Sequence, residues 1–124
     1  MKHTLFLGLA VGVILLAASS PTFAHHNTLA KYDHERPITL QGTVTLFRMI
    51  SPHSHLEFEV KQADGALVKW EAEGGSPASA YRRGWRTGDL KVGDSVTVTG
   101  SPAVDGSKWI EIKKLVTPSG KELE

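Results

Sequence analysis

The sequence contains no cysteine, so disulfides and thiolate metal sites are excluded and stability must come from apolar packing alone. It also lacks an excess of charge of either sign: 14 Lys and Arg stand against 13 Asp and Glu in 124 residues. A chain so balanced offers no electrostatic footprint for a phosphate backbone and no polybasic patch for anionic lipid. Beyond Ala18 no long apolar run recurs, so no later segment approaches the ~20 residues of a spanning helix. The common catalytic signatures are missing as well. There is no Gly-x-Ser-x-Gly elbow, no His-Glu-x-x-His and no phosphate-cradling glycine loop. These absences argue against an enzyme, a nucleic-acid binder and a membrane-anchored protein.

What is present begins at the N-terminus. Lys2 and His3 precede an apolar or small run from Leu5 to Ala18, followed by "SSPTFA", the pattern of a secretory signal peptide. Thr22 and Ala24 occupy its small-residue positions, so cleavage after Ala24 is expected and makes His25 the new N-terminus. Without cysteine there is no lipobox, and without a twin arginine the route is general secretion. The expected compartment is the bacterial periplasm or exterior, with no anchor after cleavage. Loss of residues 1–24 removes one Lys and leaves 100 residues with 13 basic and 13 acidic side chains, enough for one domain with one modest core.

Residues 25–37 are polar and His-rich and show neither helical nor strand periodicity, so they read as an extended arm. From Ile38 the pattern alternates, with Ile38, Leu40, Gly42, Val44 and Leu46 on one side and Phe47 on the other. This predicts a long strand in which Gly42 marks a bend or bulge. "HLEFEVK" and "ALVKWEAE" alternate again around the turn "ADG", which predicts a hairpin with Leu56, Phe58, Val60, Val68, Trp70 and Ala72 inward. Ser76, Pro77 and Gly84 are the N-cap, first position and C-terminal close of a short helix. Two further strands come next, Ser95 to Gly100 and Trp109 to Val116, each entered through a glycine turn. Trp109, like Trp70, reads as core. The expectation is an all-β fold over residues 38–117: a small five-stranded OB-like barrel with one short helix between strands 3 and 4. An open five-stranded sheet backed by one helix is the alternative, and residues 118–124 read as a solvated tail.

The order of short motifs resembles a known family. The export signal ending in "AHH", "YD" at Tyr32 and Asp33, "SPH" from Ser51, "W-x-A-E-G-G-S-P" from Trp70, "RRGW" from Arg82, "LKVGDSVTVTG" from Leu90 and "PAVDGS" from Pro102 are similar to those of domain-of-unknown-function family 6152, small exported bacterial proteins. The resemblance spans about residues 25–120. It implies the OB-like fold and the exported compartment and brings no activity. Where the family commonly carries Asn before the Pro-His pair, this chain has Ser51, which keeps a hydroxyl donor but loses the amide.

Of the six histidines, His3 belongs to the signal. The other five, His25, His26, His34, His53 and His55, all fall within the first 31 mature residues. A His-x-His pair on a strand places two imidazoles on one side, and Glu57 comes next in phase. After cleavage, His25 offers an α-amine and a ring nitrogen together, a nitrogen set that copper(II) favours. The candidate metal ligands are therefore His25, His26, His53 and His55, with His34 and Glu57 in reserve and copper or zinc as the ion. Met49 offers a thioether to copper(I), or fills a gap at the barrel end. The same histidines also fit a polar leader and a solvated strand face.

A second cluster, "SPASAYRRGWR", gathers Arg82, Arg83 and Trp85. Arginine forks recognise carboxylates or phosphates, and a neighbouring aromatic stacks on a ligand. The structural alternative has Trp85 plugging the barrel while the arginines pair with Glu71, Glu73 or Asp89. The sequence thus points to a periplasmic binding module with a metal ion at its His-rich end. The other reading is a metal-free envelope interaction protein that takes a partner or small anion on the Arg82, Arg83, Trp85 surface.

Overall fold

A computed structural model describes residues 28–124. The segment expected to be a signal peptide, together with His25 and His26, lies outside the described residues. The chain runs through one helical turn, α1 (Thr28–Lys31), then β1 (Ile38–Arg48), β2 (His55–Lys61), β3 (Leu67–Glu73), α2 (Pro77–Arg82), β4 (Ser95–Pro102), β5 (Trp109–Val116) and β6 (Glu122–Leu123). The sheet order is β3-β2-β1-β4-β5-β6, and a parallel β3–β5 pairing closes it. The result is a closed five-stranded mixed barrel with a two-residue sixth strand on β5. Closure removes the exposed edges that an open sheet would present, so the open-sheet alternative is set aside. Among the described residues no helix is long and apolar enough to cross a membrane.

Long β1 serves both walls of the barrel. Its first half pairs with β4 from Ile38 to Thr43, and its second half pairs with β2 from Thr43 to Arg48. The bulge expected at Gly42 lies two residues on, where the register shifts between Val44 and Leu46. Gly42 instead serves close approach. A Cβ there would stand 2.5 Å from the Glu59 carbonyl oxygen, so only glycine lets the two strands come together. The bulge also reverses the phase of the rest of β1. Phe47 packs against the core, where Leu46 had been expected.

The core joins Val44, Leu56, Phe58, Val60, Trp70, Ala72, Val96, Val98, Ile110 and Leu115 with Ala80, Trp85 and Leu90 from the α2 region. Met49 packs against it as a filler. The helix forms as read: the Ser76 hydroxyl accepts a hydrogen bond from the Ser79 N–H, Pro77 opens it, and Gly84 closes it at φ +94°.

Two segments depart from expectation. The tail is not free, because Leu123 pairs with Leu115 and is fully buried, and Lys121 binds Asp89 at 2.8 Å. A single leucine with a core gap to fill is enough to dock a polar segment. The arm is likewise pinned rather than extended: α1 leads into Tyr32, which bridges to Ala103 and is buried to 1% exposure.

Candidate metal centre

Inward Leu56 and Phe58 on β2, and inward Trp70 and Ala72 on β3, force their neighbours outward. The hairpin register sets Glu57 opposite Glu71 and His55 opposite Glu73, while β5 brings Trp109 beside Glu71 and Glu111 beside Glu73. One outer face thereby collects His55, Glu57, Glu59, Glu71, Glu73 and Glu111. His55 Nε2 lies 3.4 Å from Glu57 Oε1 and 3.5 Å from Glu71 Oε2. All three residues offer ligand atoms within 4.8 Å of one another. Donors bonded at ~2.1 Å to a tetrahedral zinc stand about 3.4 Å apart, so the two imidazole–carboxylate distances already match a coordination edge.

The surroundings favour the ionised form of Glu57. Lys69 Nζ donates to Glu57 Oε2 at 2.7 Å. That bond, with a smaller contribution from His55, keeps the Glu57 carboxyl below the usual carboxylate range. The two oxygens of Glu57 are thus divided, one toward Lys69 and one toward the imidazole. The His55 ring lies 5.6 Å from Trp109, and on the same indole the Lys31 ammonium rests at 4.6 Å.

The arm crosses beside the centre. The Tyr32 hydroxyl donates to Glu73 Oε1, which also accepts from Lys31 Nζ at 3.0 Å. Burial works to raise the Glu73 pKa, but the bonds from Tyr32 and Lys31 prevail and hold it below the ordinary range. Burial first, and then the bond to Glu73, push the Tyr32 phenol well above its usual value. His34 Nδ1 lies 3.2 Å from Ser101 Oγ and 3.4 Å from Glu111 Oε2.

The expected ligands separate on this frame. His55 and Glu57 come together, whereas His53 lies in the loop before β2, exposed, and lines a cleft with Glu73 and Arg83. His34 is used by Ser101 and Glu111, and His25 and His26 lie outside the described residues. Glu71 is the candidate ligand that sequence reasoning missed. The signal was available, since the hairpin turn pairing Lys61 with Leu67 counts back to Glu57 opposite Glu71. Trp109, expected in the core, faces outward at the centre. The arginine cluster also differs: Trp85 is buried at 3% exposure and packs 6.1 Å from Phe47, so it cannot serve as a surface platform. Its plugging role is the one observed. The expected arginine partners are engaged elsewhere, Glu73 with Lys31 and Asp89 with Lys121, while Arg82 and Arg83 stay exposed.

A five-stranded closed barrel with its helix between β3 and β4 places this molecule among OB-fold proteins. The chain belongs to DUF6152, a family of unknown function, whose model matches residues 12–111. No curated protein matches it. Among solved structures, it is similar to the mitochondrial single-stranded DNA binding protein Rim1 from S. cerevisiae. That likeness has a TM-score of 0.52 at 12% identity, over 67% of this chain and 93% of that one. A small single-stranded DNA-binding protein from Streptomyces coelicolor aligns with a TM-score of 0.46 at 19% identity, over 69% of this chain and 94% of that chain. TiaS, solved in complex with a tRNA and ATP, aligns at 0.44 and 26% identity, over 69% of this chain and 19% of its own.

Proposed function

We propose that this protein is an exported OB-fold module of the periplasm that binds a divalent transition-metal ion, zinc foremost, through His55, Glu57 and Glu71. The observation that carries the reading is the triangle of donors within 4.8 Å of one another. One imidazole with two carboxylates supplies nitrogen and oxygen donors of the types zinc takes and leaves a fourth position open. The reading gives that position to the N-terminal histidines. Lys31 rests on Trp109 beside His55, so the arm runs beside the centre. The α-amine freed at His25 would add nitrogen and draw the preference toward copper(II). The role is binding rather than catalysis.

The same face speaks against nucleic acid. The β2–β3 surface is where OB folds commonly receive oligonucleotides, and here it carries Glu57, Glu59, Glu71 and Glu73, whose charge repels phosphate.

Calorimetry on tag-free protein beginning at His25, stripped with chelator and titrated with zinc, tests the reading. One ion per chain is expected, weakened at least ~10-fold in Glu71→Gln and further in His55→Ala. Zinc uptake unchanged in both variants ends it. The second reading, an envelope partner or small anion on the Arg82 and Arg83 surface, draws on the exposure of both arginines and of Tyr81 at 44%. Without Trp85 that surface is smaller than the sequence implied.

A further inference from the structure

A cleft of about 210 Å³ opens between the β1–β2 loop, the β3–α2 linker, the end of α2 and β5. Its lining brings together His53, Glu73, Gly75, Arg83, Glu111 and Ile112 and shares no residue with the metal centre. Charges of both signs converge there from different elements without neutralising one another. Among the described residues Arg83 makes no ion pair, and neither Glu73 Oε2 nor Glu111 Oε1 has a hydrogen-bond partner. The carboxylate oxygens that are engaged, Glu73 Oε1 and Glu111 Oε2, meet Lys31, Tyr32 and His34.

Gly75 shows how Arg83 comes to lie over the cleft. Its φ is not positive, so the backbone does not require glycine there. The missing side chain provides room, because a Cβ would stand 2.5 Å from Arg83 Nη2. The guanidinium is seated against the linker backbone. Its planar fork, exposed and unpaired among the described residues, presents parallel donors suited to a carboxylate.

We infer that this cleft binds a small zwitterion of the amino-acid class, its carboxylate on Arg83 and its ammonium against Glu73 and Glu111. Ligands bearing one charge satisfy only half of the lining. A ligand bearing both, separated by a carbon or two, satisfies the guanidinium and the carboxylates together. The volume lies below the ~300–1,000 Å³ of sites for drug-sized molecules, which sets the size at a free amino acid or close analogue. Ile112 and the glycine linker supply the apolar remainder. This sharpens the small-ligand form of the second reading and is independent of the metal reading.

The test is a titration of ¹⁵N-labelled protein, zinc-free, with each proteinogenic amino acid, and with acetate and ethylammonium as single-charge controls, to about 10 mM. At least one amino acid is expected to give saturable shifts at residues 53, 73–75, 83 and 111–112, at least ~10-fold tighter than either control. Arg83→Ala and Glu111→Gln should each abolish saturation. Gly75→Ala, which displaces the end of Arg83 and also crowds the Ser79 hydroxyl at 3.3 Å, should weaken binding with the fold intact by dispersion of the spectrum. Arg82→Ala should leave binding unchanged. No saturable shift with any amino acid overturns the inference. Equal affinity for acetate and amino acids, lost alike in Arg82→Ala and Arg83→Ala, overturns it too while leaving a general anion surface in place.

Discussion

At the residue scale the candidate metal centre turns on how Glu57 divides its two oxygens. Lys69 Nζ holds Oε2 at 2.7 Å, while Oε1 faces His55 at 3.4 Å. An ion entering the triangle therefore meets Glu57 as a one-oxygen ligand, with a positive charge behind it. That arrangement weakens the site for all cations. It weakens it most for calcium, which requires six to eight oxygens and often a bidentate carboxylate. Replacing Lys69 with Met keeps the aliphatic stem and frees Oε2. Zinc affinity should rise by about tenfold, the usual scale of a change just outside the ligands. Calcium affinity should rise with it, both read by calorimetry. A fall in zinc affinity would instead make Lys69 the group that orients Glu57.

At the scale of elements, the segment with the most to reveal is β6. Two residues pair with β5, yet Leu123 is buried completely and Lys121 ties the segment to Asp89 and the Gly84 carbonyl. Leu123→Ala should cost about 3 kcal/mol by the cavity rule, a fall of roughly 10 °C or more in Tm for a domain of this size. Glu122→Ala, exposed on the same strand, should stay within about 0.5 kcal/mol. Urea unfolding of the two variants decides whether the segment belongs to the fold. β6 also marks where sequence reading stopped. The hairpin, the capped helix and the last two long strands were legible because alternation, N-cap chemistry and glycine turns are local signals. A lone leucine in "GKELE" has no period to betray it. The phase reversal after Val44 was equally hidden, since a bulge is set by pairing partners. His55 and Glu57 were legible by strand spacing, but Glu71 joins them only through hairpin register. Tyr32 and Trp109 took their places through the tertiary path of the arm.

At the scale of the whole molecule, that arm is fastened to the barrel by a bond between two ionisable groups, which gives its docking a pH window. Tyr32 must stay neutral to donate, and Glu73 is the better acceptor when charged. Glu73 has its pKa lowered on folding. Its contribution is therefore complete above the ordinary carboxylate value of about 4.3 and is lost as pH falls through the depressed one. Tyr32 has its pKa raised, so its contribution is complete below the ordinary value of about 10 and is lost as pH climbs beyond it. The clamp is thus fully engaged across the neutral range. Glu73→Gln retains an oxygen for the phenol but removes the charge, and should cost about 1–2 kcal/mol at neutral pH. Measured by urea unfolding, that cost should be flat from about pH 6 to 8 and shrink below about pH 4 as the wild-type carboxylate takes up its proton. A cost that stays constant into acid would mean that Glu73 holds the arm by shape rather than charge. The same clamp fixes the course of the chain from Lys31 past Trp109. If the N-terminal histidines complete the metal centre, Glu73→Gln should also weaken zinc binding at neutral pH without touching a ligand.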